Sequence, residues 1–482
     1  MREQRHTARA RRGPVRRVLG WIPDVLVVLL VVAAGLQVQY DLGHRWFGLE
    51  RADPATDPAG VLAPAGLGLA AGKTEPEVLA GLTPGAVDPA AVRRVLAPVL
   101  DGAELGKHAT FRVVDLSNGS AVFQRDAGAV IPASTMKLLT SAAALSALGP
   151  TTRFSTTVVA SGSKLVLVGG GDPFLASSRA KAKGQYPVRA DLATLAARTA
   201  KALAARGTTK VTLSYDAGLF TGPAVNPRWP ASYITDNVVP PISALWADEA
   251  RNADGRYVAD PAAAAATTFA AALKAQKIDV VGAPKKQAAP TAATEVASVK
   301  SATVGEIVQQ TLAVSDNNAA EVLARHVGAT VGGEGSFTGG LDAVFEVLDE
   351  LGVDVSDSVA YDGSGLSREN DLTAQTLVDV LRIAASPDHP ELREVITGLP
   401  VAGFTGSLQK RFDRGPAAAQ GRVRAKTGTL TGVHGLAGIA TDLDGNLMAF
   451  AFVADRVPVE DTLAAQRDLD LLAAALGSCH CG

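Results

Sequence analysis

The chain has 482 residues, of which 47% are hydrophobic and 20% charged, the composition of a folded protein with room for two or three ordinary domains. Its formal net charge is −2, but the first 17 residues hold seven arginines and one glutamate, so the rest carries −8. The basic residues therefore form a tail and not a binding face, which excludes the electrostatic pattern of a nucleic-acid-binding protein.

The N-terminal region has the pattern of a membrane anchor. Residues 1–17 are predicted to be a basic cytoplasmic tail. Residues 18–36 form an apolar run that spans about 28 Å as a helix, close to the roughly 30 Å of a bilayer core, and the arginines before it place the C-terminal bulk outside the cytoplasm. We predict an uncleaved transmembrane signal anchor, with a signal peptide cut near residues 33–35 as the alternative. Residues 37–90, rich in Pro, Gly and Ala, are predicted to be a linker.

The first string with chemical potential follows a predicted hairpin, in which residues 111–116 and 121–124 form strands around a turn at 117–119. Ser134 then opens an Ala- and Leu-rich segment that is predicted to be a helix. Residues three apart on a helix share a face, so the Lys137 amine is expected beside the Ser134 hydroxyl, where a base and its nucleophile must lie. Taken alone, the string also fits a plain N-cap serine and a solvated lysine.

The long interval after this string predicts an inserted domain at residues 153–255. Within it, residues 156–159, 164–168 and 211–215 have the pattern of strands, and residues 192–198 have that of a helix. The role of the insert does not follow from its sequence.

Two further strings lie in the C-terminal half. The Ser-Asp-Asn string at residues 315–317 begins another predicted helix, where the alternative interpretation is a doubled N-cap. The Lys-Thr-Gly string at residues 426–428 precedes two neighbouring strands, predicted at 435–441 and 446–453. A strand with this string can hold an extended peptide along its edge, with Lys426 binding a carboxylate.

The three strings in this order, with those at residues 166–173, 240–245 and 361–368, resemble the class C penicillin-binding proteins, the D-alanyl-D-alanine carboxypeptidase/endopeptidase family. The resemblance implies an α/β (α+β) fold of the penicillin-binding/β-lactamase-like transpeptidase type, an antiparallel sheet flanked by helices, with an inserted domain. The penicillin-binding catalytic domain is then expected at residues 91–152 and 256–475.

The resemblance also implies a role for each residue of the strings. Ser134 is expected to be the acyl-enzyme nucleophile and Lys137 the base that takes its proton. Ser315 is expected to relay a proton to the leaving amine, and Asn317 to hold the substrate amide and Lys137.

The Lys-Thr-Gly strand is expected to bind the substrate, and its implied members are Lys426, which is also counted as catalytic, Thr427, Gly428 and Thr429. The backbone N–H groups of Ser134 and Thr429 are expected to form the oxyanion hole. Single donors in such a site each contribute about 2.7–4 kcal/mol.

The two lysines have a chemical reason to share one site. For Lys137 to act as a base near neutrality, its pKa must fall from about 10.4 towards 7, which requires roughly 4–5 kcal/mol of preference for the neutral amine. Partial burial and the like charge of Lys426 are the expected sources. Asn317 can donate to or accept from a neutral amine without restoring its charge.

The implied activity is that of a serine DD-peptidase that removes the terminal D-Ala from peptidoglycan stem peptides through an acyl-enzyme, with cleavage of cross-links left open beside it. No cofactor and no metal are expected. The expected partners are stem peptides, β-lactams as covalent inhibitors, and the cytoplasmic membrane through the N-terminal helix. The implied location is the bacterial cell membrane, single-pass, with the catalytic domain extracytoplasmic, or outside the cell if the signal is cleaved.

Two other functions compete with this one. A serine β-lactamase shares the three strings, but no Glu-x-x-x-Asn segment lies between residues 317 and 426 to position a hydrolytic water. A non-catalytic penicillin-binding sensor that acylates without turnover is the second alternative.

Three remaining features receive structural interpretations. Residues 362–365 are predicted to be a tight turn that shapes the site without taking part in its chemistry. His434 is predicted to be a surface or packing histidine. Cys479 and Cys481 lie at a terminus expected to be exposed, where a local disulfide, an intermolecular bridge and free thiols all stay open.

Overall fold

The computed structural model describes residues 85–125 and 127–482. The predicted tail at 1–17, the predicted membrane segment at 18–36 and the linker up to residue 84 lie outside the described residues. Among the residues that are described, no helix combines the length and the apolar character needed to cross a bilayer.

The α-helices of the described part are α1 (Pro89–Gly102), α2 (Lys137–Leu148), α3 (Arg179–Ala182), α4 (Leu192–Ala204), α5 (Ser232–Thr235), α6 (Pro261–Ala275), α7 (Val304–Val314), α8 (Asn317–Val331), α9 (Phe337–Glu350), α10 (Ala374–Ala385), α11 (Arg393–Thr397) and α12 (Thr462–Gly477). The β-strands are β1 (Ala109–Asp115), β2 (Ala121–Arg125), β3 (Arg153–Ser161), β4 (Lys164–Val168), β5 (Lys210–Asp216), β6 (Asp279–Val280), β7 (Lys285–Lys286), β8 (Thr294–Thr303), β9 (Val423–Leu430), β10 (Val433–Thr441) and β11 (Leu447–Ala454).

The first sheet contains the Lys-Thr-Gly string on β9. Its strand order is β2-β1-β11-β10-β9, with antiparallel neighbours throughout. Strands β10 and β11 are buried along nearly their whole length, because helices cover both faces of the sheet and such strands become continuous apolar runs. The hairpin predicted around residues 117–119 joins β1 to β2, and the strands predicted at 435–441 and 446–453 are β10 and β11.

Two apolar cores lie against this sheet. One joins Ala437 and Val453 to helices α2, α7, α8 and α10, and the other joins Phe450 and Phe452 to α1 and α12. A fully buried phenylalanine contributes about 1.5–3 kcal/mol, so the sheet and its helices stabilise one another. The predicted architecture of an antiparallel sheet flanked by helices is confirmed.

The second sheet lies in the interval after α2. Its order is β6-β5-β4-β3-β8, with β7 also paired to β5. Helices α4 and α6 pack on it through a core that includes Leu195 and Phe269. The strands predicted at 156–159, 164–168 and 211–215 are β3, β4 and β5, and the predicted helix is α4.

The extent of the second sheet differs from that of the predicted inserted domain. The domain was expected to end at residue 255, but α6 packs on the second sheet and β8, which ends at Thr303, pairs along β3. The edge strand β8 and the helix α6 of this sheet therefore both lie after residue 255 in the chain.

The two cysteines near the C-terminus are buried in the fold, contrary to the expectation that they lie at an exposed end. Cys479 and Cys481 form a disulfide, and both are buried. The Leu443 N–H donates to the Cys479 carbonyl at 2.9 Å, and the Asp88 N–H donates to the Cys481 carbonyl at 2.7 Å. The terminus thereby connects the turn after β10 to the start of α1.

Candidate active site

Ser134 lies in a short turn that leads into α2. Residues Ala133–Met136 form a 3₁₀ turn and the α-helix begins at Lys137, so the α-helix starts three residues later than predicted. Ala133 has a φ of 46°, a left-handed conformation that costs a non-glycine residue roughly 1–2 kcal/mol. A Cβ on Gly365 would lie 1.8 Å from the Ala133 carbonyl oxygen, so the loop at 362–365 packs tightly on this strained turn.

The Lys137 side chain is fully buried, and its amine contacts three oxygens. The Nζ atom lies 2.9 Å from Ser134 Oγ, 2.7 Å from Asn317 Oδ1 and 2.6 Å from the Ser364 carbonyl oxygen. Carbonyl and amide oxygens only accept, whereas a hydroxyl also donates. A neutral amine therefore donates to Asn317 and Ser364 and directs its lone pair at the Ser134 hydroxyl, as a general base must.

Burial lowers the pKa of Lys137 from 10.5 to about 8. The carboxylates of Asp362, Glu321 and Asp316 act in the opposite direction, because a nearby negative charge favours the ammonium form. The expected contribution of burial is therefore present. The expected contribution of the like charge falls elsewhere: the pKa of Lys426 is lowered well below its usual range, first by burial and then by Lys137.

The Ser-Asp-Asn string forms the junction between α7 and α8. Ser315 ends α7 with a φ of 61°, and Asp316 is the N-cap of α8, accepting a backbone N–H of its first turn at 3.0 Å. The N-cap interpretation thus applies to Asp316 alone. The two flanking residues contact different lysines, since Ser315 Oγ accepts from Lys426 Nζ at 2.9 Å and Asn317 accepts from Lys137.

Strand β9 forms an edge of the first sheet. Backbone hydrogen bonds of 2.9 and 3.0 Å join residues 400–402 to the first half of the strand, residues 423–425. Within residues 85–125 and 127–482, no strand pairs with the outer edge beyond that point. The backbone of residues 426–430 is therefore positioned to receive an extended peptide.

The Lys426 side chain is fully buried beneath this edge. Its Nζ donates to Ser315 Oγ at 2.9 Å and to the Thr427 carbonyl at 2.8 Å. No carboxylate accounts for its pKa; burial, Lys137 and Arg411 all disfavour its charged form. A bound carboxylate would reverse that preference because it adds the missing opposite charge.

The remaining residues of the string have distinct surroundings. A Cβ on Gly428 would lie 2.7 Å from the Pro132 carbonyl oxygen, so only glycine lets β9 approach the Ser134 turn this closely. The Thr427 hydroxyl is bonded to Ser407 Oγ at 3.0 Å, and Thr429 is exposed.

His434 pairs with Thr429 across β9 and β10 and is 2% exposed. Neither of its ring nitrogens has a hydrogen-bond partner among the described residues, and burial lowers its pKa. Of the two interpretations given to this residue, packing is the one that its burial supports.

The loop at residues 362–365 is bonded to the Lys137 amine as well as to its own neighbours, a contact that the sequence analysis did not include. The Asp362 carboxylate accepts from Trp229 Nε1 at 2.6 Å and from the Gly365 N–H at 2.8 Å, while the Ser364 carbonyl accepts from Lys137. Sequence reasoning singled out this string but missed the contact, because it is made by a backbone atom. It also missed Glu321, although its spacing of four residues from Asn317 placed both on one helical face.

The sequence model of the D-Ala-D-Ala carboxypeptidase 3 (S13) family matches residues 92–253 and 247–476. The chain belongs to this family. Among the relatives of this S13 protein, a carboxypeptidase of Mycobacterium tuberculosis is 36% identical over 425 residues, covering 84% of this chain and 89% of the relative.

Two further matches extend the comparison. A D-alanyl-D-alanine carboxypeptidase of Actinomadura is 32% identical over 429 residues, covering 74% of this S13 protein and 78% of the relative. The crystal structure of penicillin-binding protein 4 from Haemophilus influenzae has a TM-score of 0.65 at 21% identity, covering 78% of this chain and 98% of that chain. The structural likeness shows that the penicillin-binding fold is shared.

Proposed function

We propose that this S13 family member is a serine DD-peptidase that removes the terminal D-Ala of peptidoglycan stem peptides through an acyl-enzyme on Ser134. The observation that carries the proposal is the buried Lys137 amine, 2.9 Å from Ser134 Oγ and held by two acceptors that leave its lone pair for the hydroxyl. Relatives named carboxypeptidase support the reaction class.

Acylation begins when Ser134 Oγ attacks the carbonyl carbon of the penultimate D-Ala and its proton passes to Lys137 Nζ. The backbone N–H groups of Ser134 and Thr429 stabilise the oxyanion. The C–N bond then breaks, and the leaving amine receives the proton by way of the Ser315 hydroxyl. Water attacks the ester with Lys137 again as base, which releases the shortened peptide and restores Ser134.

The strand edge supplies recognition in this scheme. Lys426 and the hydroxyls of Thr427 and Thr429 bind the terminal carboxylate, and Gly428 lets the strand lie close to the nucleophile. Asn317 holds the substrate amide with the end of its side chain that Lys137 does not contact.

Ser134→Ala tests the proposal. We expect this variant to lose both labelling by a fluorescent penicillin and D-Ala release from a stem pentapeptide, by about 10⁴-fold or more, with an unchanged thermal unfolding midpoint. D-Ala release by the folded variant at a rate near that of the parent would contradict the mechanism. Rapid release of hydrolysed penicillin by the parent would indicate the β-lactamase, and a stable adduct without D-Ala release the sensor.

Cleavage of cross-links is a further part of the proposal, because in the part of the chain that the structure describes no other strand covers the outer edge of β9 at residues 426–430. Incubation of the full chain with defined monomeric and cross-linked muropeptides, with products identified by mass, measures the preference directly. Loss of one D-Ala alone would restrict the enzyme to carboxypeptidase activity.

We also propose that residues 18–36 anchor the enzyme in the bacterial cell membrane, with the catalytic domain outside the cytoplasm. The arginine-rich residues 1–17 followed by an apolar run support this orientation. In fractionated cells, the full-length chain should stay with membranes after a high-salt wash. A shortened protein in the medium whose N-terminus lies near residue 35 would show cleavage of the signal instead.

A further inference from the structure

Glu321 is a buried carboxylate on α8, one helical turn after Asn317 and 0% exposed. It accepts the backbone N–H of Ser364 at 2.8 Å and that of Gly363 at 3.2 Å. The carbonyl of Ser364 in turn accepts from Lys137 Nζ at 2.6 Å. One chain of contacts thus connects a carboxylate that no string includes to the amine beside the nucleophile.

We propose that Glu321 is a positioning residue for acylation, which fixes the backbone of Gly363 and Ser364 so that the Ser364 carbonyl holds the Lys137 amine against Ser134. This inference rests on the proposed function of Lys137 as the base. Glu321 does not touch the substrate in this scheme; it acts through the loop.

The loop is held from two helices at this point. Thr140 Oγ1 on α2 donates to the Gly363 carbonyl at 2.7 Å, while Glu321 on α8 accepts a hydrogen bond from the Gly363 N–H. A Cβ on Gly363 would lie 2.7 Å from the Cβ of Ala324, so the loop backbone lies directly on α8. The peptide between Gly363 and Ser364 is thus bonded at both its carbonyl and its N–H. The next peptide, which contains the Ser364 carbonyl, is held by the Gly365 N–H, which donates to Asp362 at 2.8 Å.

The space that the Glu321 side chain fills could also be filled by an apolar side chain of similar size. A buried carboxylate is costly unless its oxygens are bonded, and an apolar side chain would pack there without that cost. Two backbone N–H groups, in contrast, would be left without acceptors if Glu321 were apolar, and unsatisfied buried donors are costly too. The carboxylate therefore suits this position because its oxygens accept hydrogen bonds from the Gly363 and Ser364 N–H groups.

The charge of Glu321 acts on the same site. The charged groups that interact with it are Lys137 on α2, Asp362 on the loop and Arg325 one turn further along α8, and Asp316 at the start of α8 acts on Lys137 as well. Burial and Asp362 raise the pKa of Glu321 to about 8, and the carboxylates raise the pKa of Lys137 against the effect of burial. Neutralising Glu321 therefore favours the uncharged Lys137 amine.

Glu321→Gln separates placement from charge. The amide retains one acceptor oxygen but replaces the other with a donor that faces the backbone N–H groups. We expect the second-order rate of penicillin acylation at its pH plateau to fall about 10- to 100-fold. The acid limb of the rate profile should also move to lower pH, because the ionised fraction of Glu321 favours the ammonium form of Lys137 and glutamine carries no charge at any pH.

Glu321→Asp and Asp115→Asn complete the test. Aspartate keeps the charge but not the reach, so its plateau should fall while its acid limb stays near that of the parent. Asp115 is a matched control: it is buried, accepts backbone N–H groups from Val87 at 2.9 Å and Ser117 at 2.8 Å, and lies at the end of β1 opposite Met448. Its asparagine variant should acylate as the parent does.

Parent-like acylation rates and pH profiles in a folded Glu321→Gln protein would overturn the inference. If that variant does not fold, the aspartate variant decides, since a parent-like plateau there would overturn it equally. Equal losses of acylation rate in the Glu321 and Asp115 variants would mean that both changes act through overall stability, and this result would also overturn the inference. Failure of the proposed function has a different signature, namely acylation that persists in Ser134→Ala.

Discussion

The two buried lysines of the candidate active site have opposite surroundings. Lys137, on the helical side, is bonded to oxygens of three residues, and three carboxylates act on its pKa. Lys426, on the strand side, has two oxygen partners, and the charges that act on its pKa are the cations of Lys137 and Arg411. The two amines are therefore equally buried but differ in the neighbouring charges that set their pKa values.

The difference indicates a division of labour. At Lys137 the carboxylates moderate the effect of burial, so its pKa stays at about 8 and the amine can take and return a proton near neutrality. At Lys426 no carboxylate of the described residues is among the causes of the pKa shift, which fits the proposed binding of a substrate carboxylate there. In the proposed mechanism, the same residue type thereby serves once as a base and once as an anion-binding group.

Lys137→Ala should have the largest effect, because it removes the base itself. General base catalysis contributes about 10²–10⁴-fold, and we expect penicillin acylation to slow within that range or beyond it. A time course of fluorescent penicillin labelling measures the rate. The control is Lys201→Ala, which truncates an exposed lysine of α4 and should label as the parent does.

The same variant tests whether the two lysines are distinct. Lys137→Ala should slow a peptide with a free C-terminal carboxylate and its C-terminal amide by the same factor. Unequal factors would indicate that Lys137 also recognises the carboxylate, which would remove the proposed division.

Lys426→Ala should have the next largest effect, and it should depend on the substrate. For a stem peptide with a free carboxylate, we expect kcat/KM to fall about 10- to 100-fold, the equivalent of one hydrogen bond to a charged group. For the C-terminal amide the loss should be smaller, because there is no negative charge to bind. An equal loss for both peptides would assign Lys426 to the chemical step alone.

The pH dependence of acylation reports on Lys137. Burial lowers its pKa to about 8, and only the neutral amine can accept the Ser134 proton. Because the amine becomes protonated as the pH falls, the fraction of enzyme with a neutral Lys137 falls with it. Below the pKa the acylation rate should therefore fall about tenfold per pH unit, as measured by stopped-flow labelling in buffers of constant ionic strength. A rate independent of pH between 6 and 9 would contradict the assignment of Lys137 as the base.

Ser407→Ala should have the smallest effect. It removes the 3.0 Å hydrogen bond to the Thr427 hydroxyl, which orients one of the proposed carboxylate ligands. A neutral hydrogen bond contributes about 0.5–1.5 kcal/mol, so KM for the peptide should rise about 2- to 10-fold with little change in penicillin acylation. Steady-state kinetics on both substrates separates these effects, and a larger change in acylation than in KM would disagree with a binding role.

Much of the fold could be predicted because the relevant signals are local. The turn at 117–119 and the apolar runs of β10 and β11 are readable from a few adjacent residues. The extent of the second sheet was not readable in this way. Strand β8 joins β3 across a separation of more than a hundred residues, and no local pattern states which strand it will pair with.

The amino-acid order by itself determined which side chains could do the chemistry, since a serine and a lysine three residues apart, a Ser-x-Asn turn and a Lys-Thr-Gly strand each have the right groups at the right local spacing. Only the tertiary structure decided how those groups are tuned. The Ser364 carbonyl contacts Lys137 from a separate loop that the Glu321 carboxylate holds through the Ser364 N–H, and the burial that lowers the Lys137 pKa is a property of the packed core. Contacts of this kind are made between surfaces that are remote in the chain, so they exist only once the helices and the strand have closed around the amine.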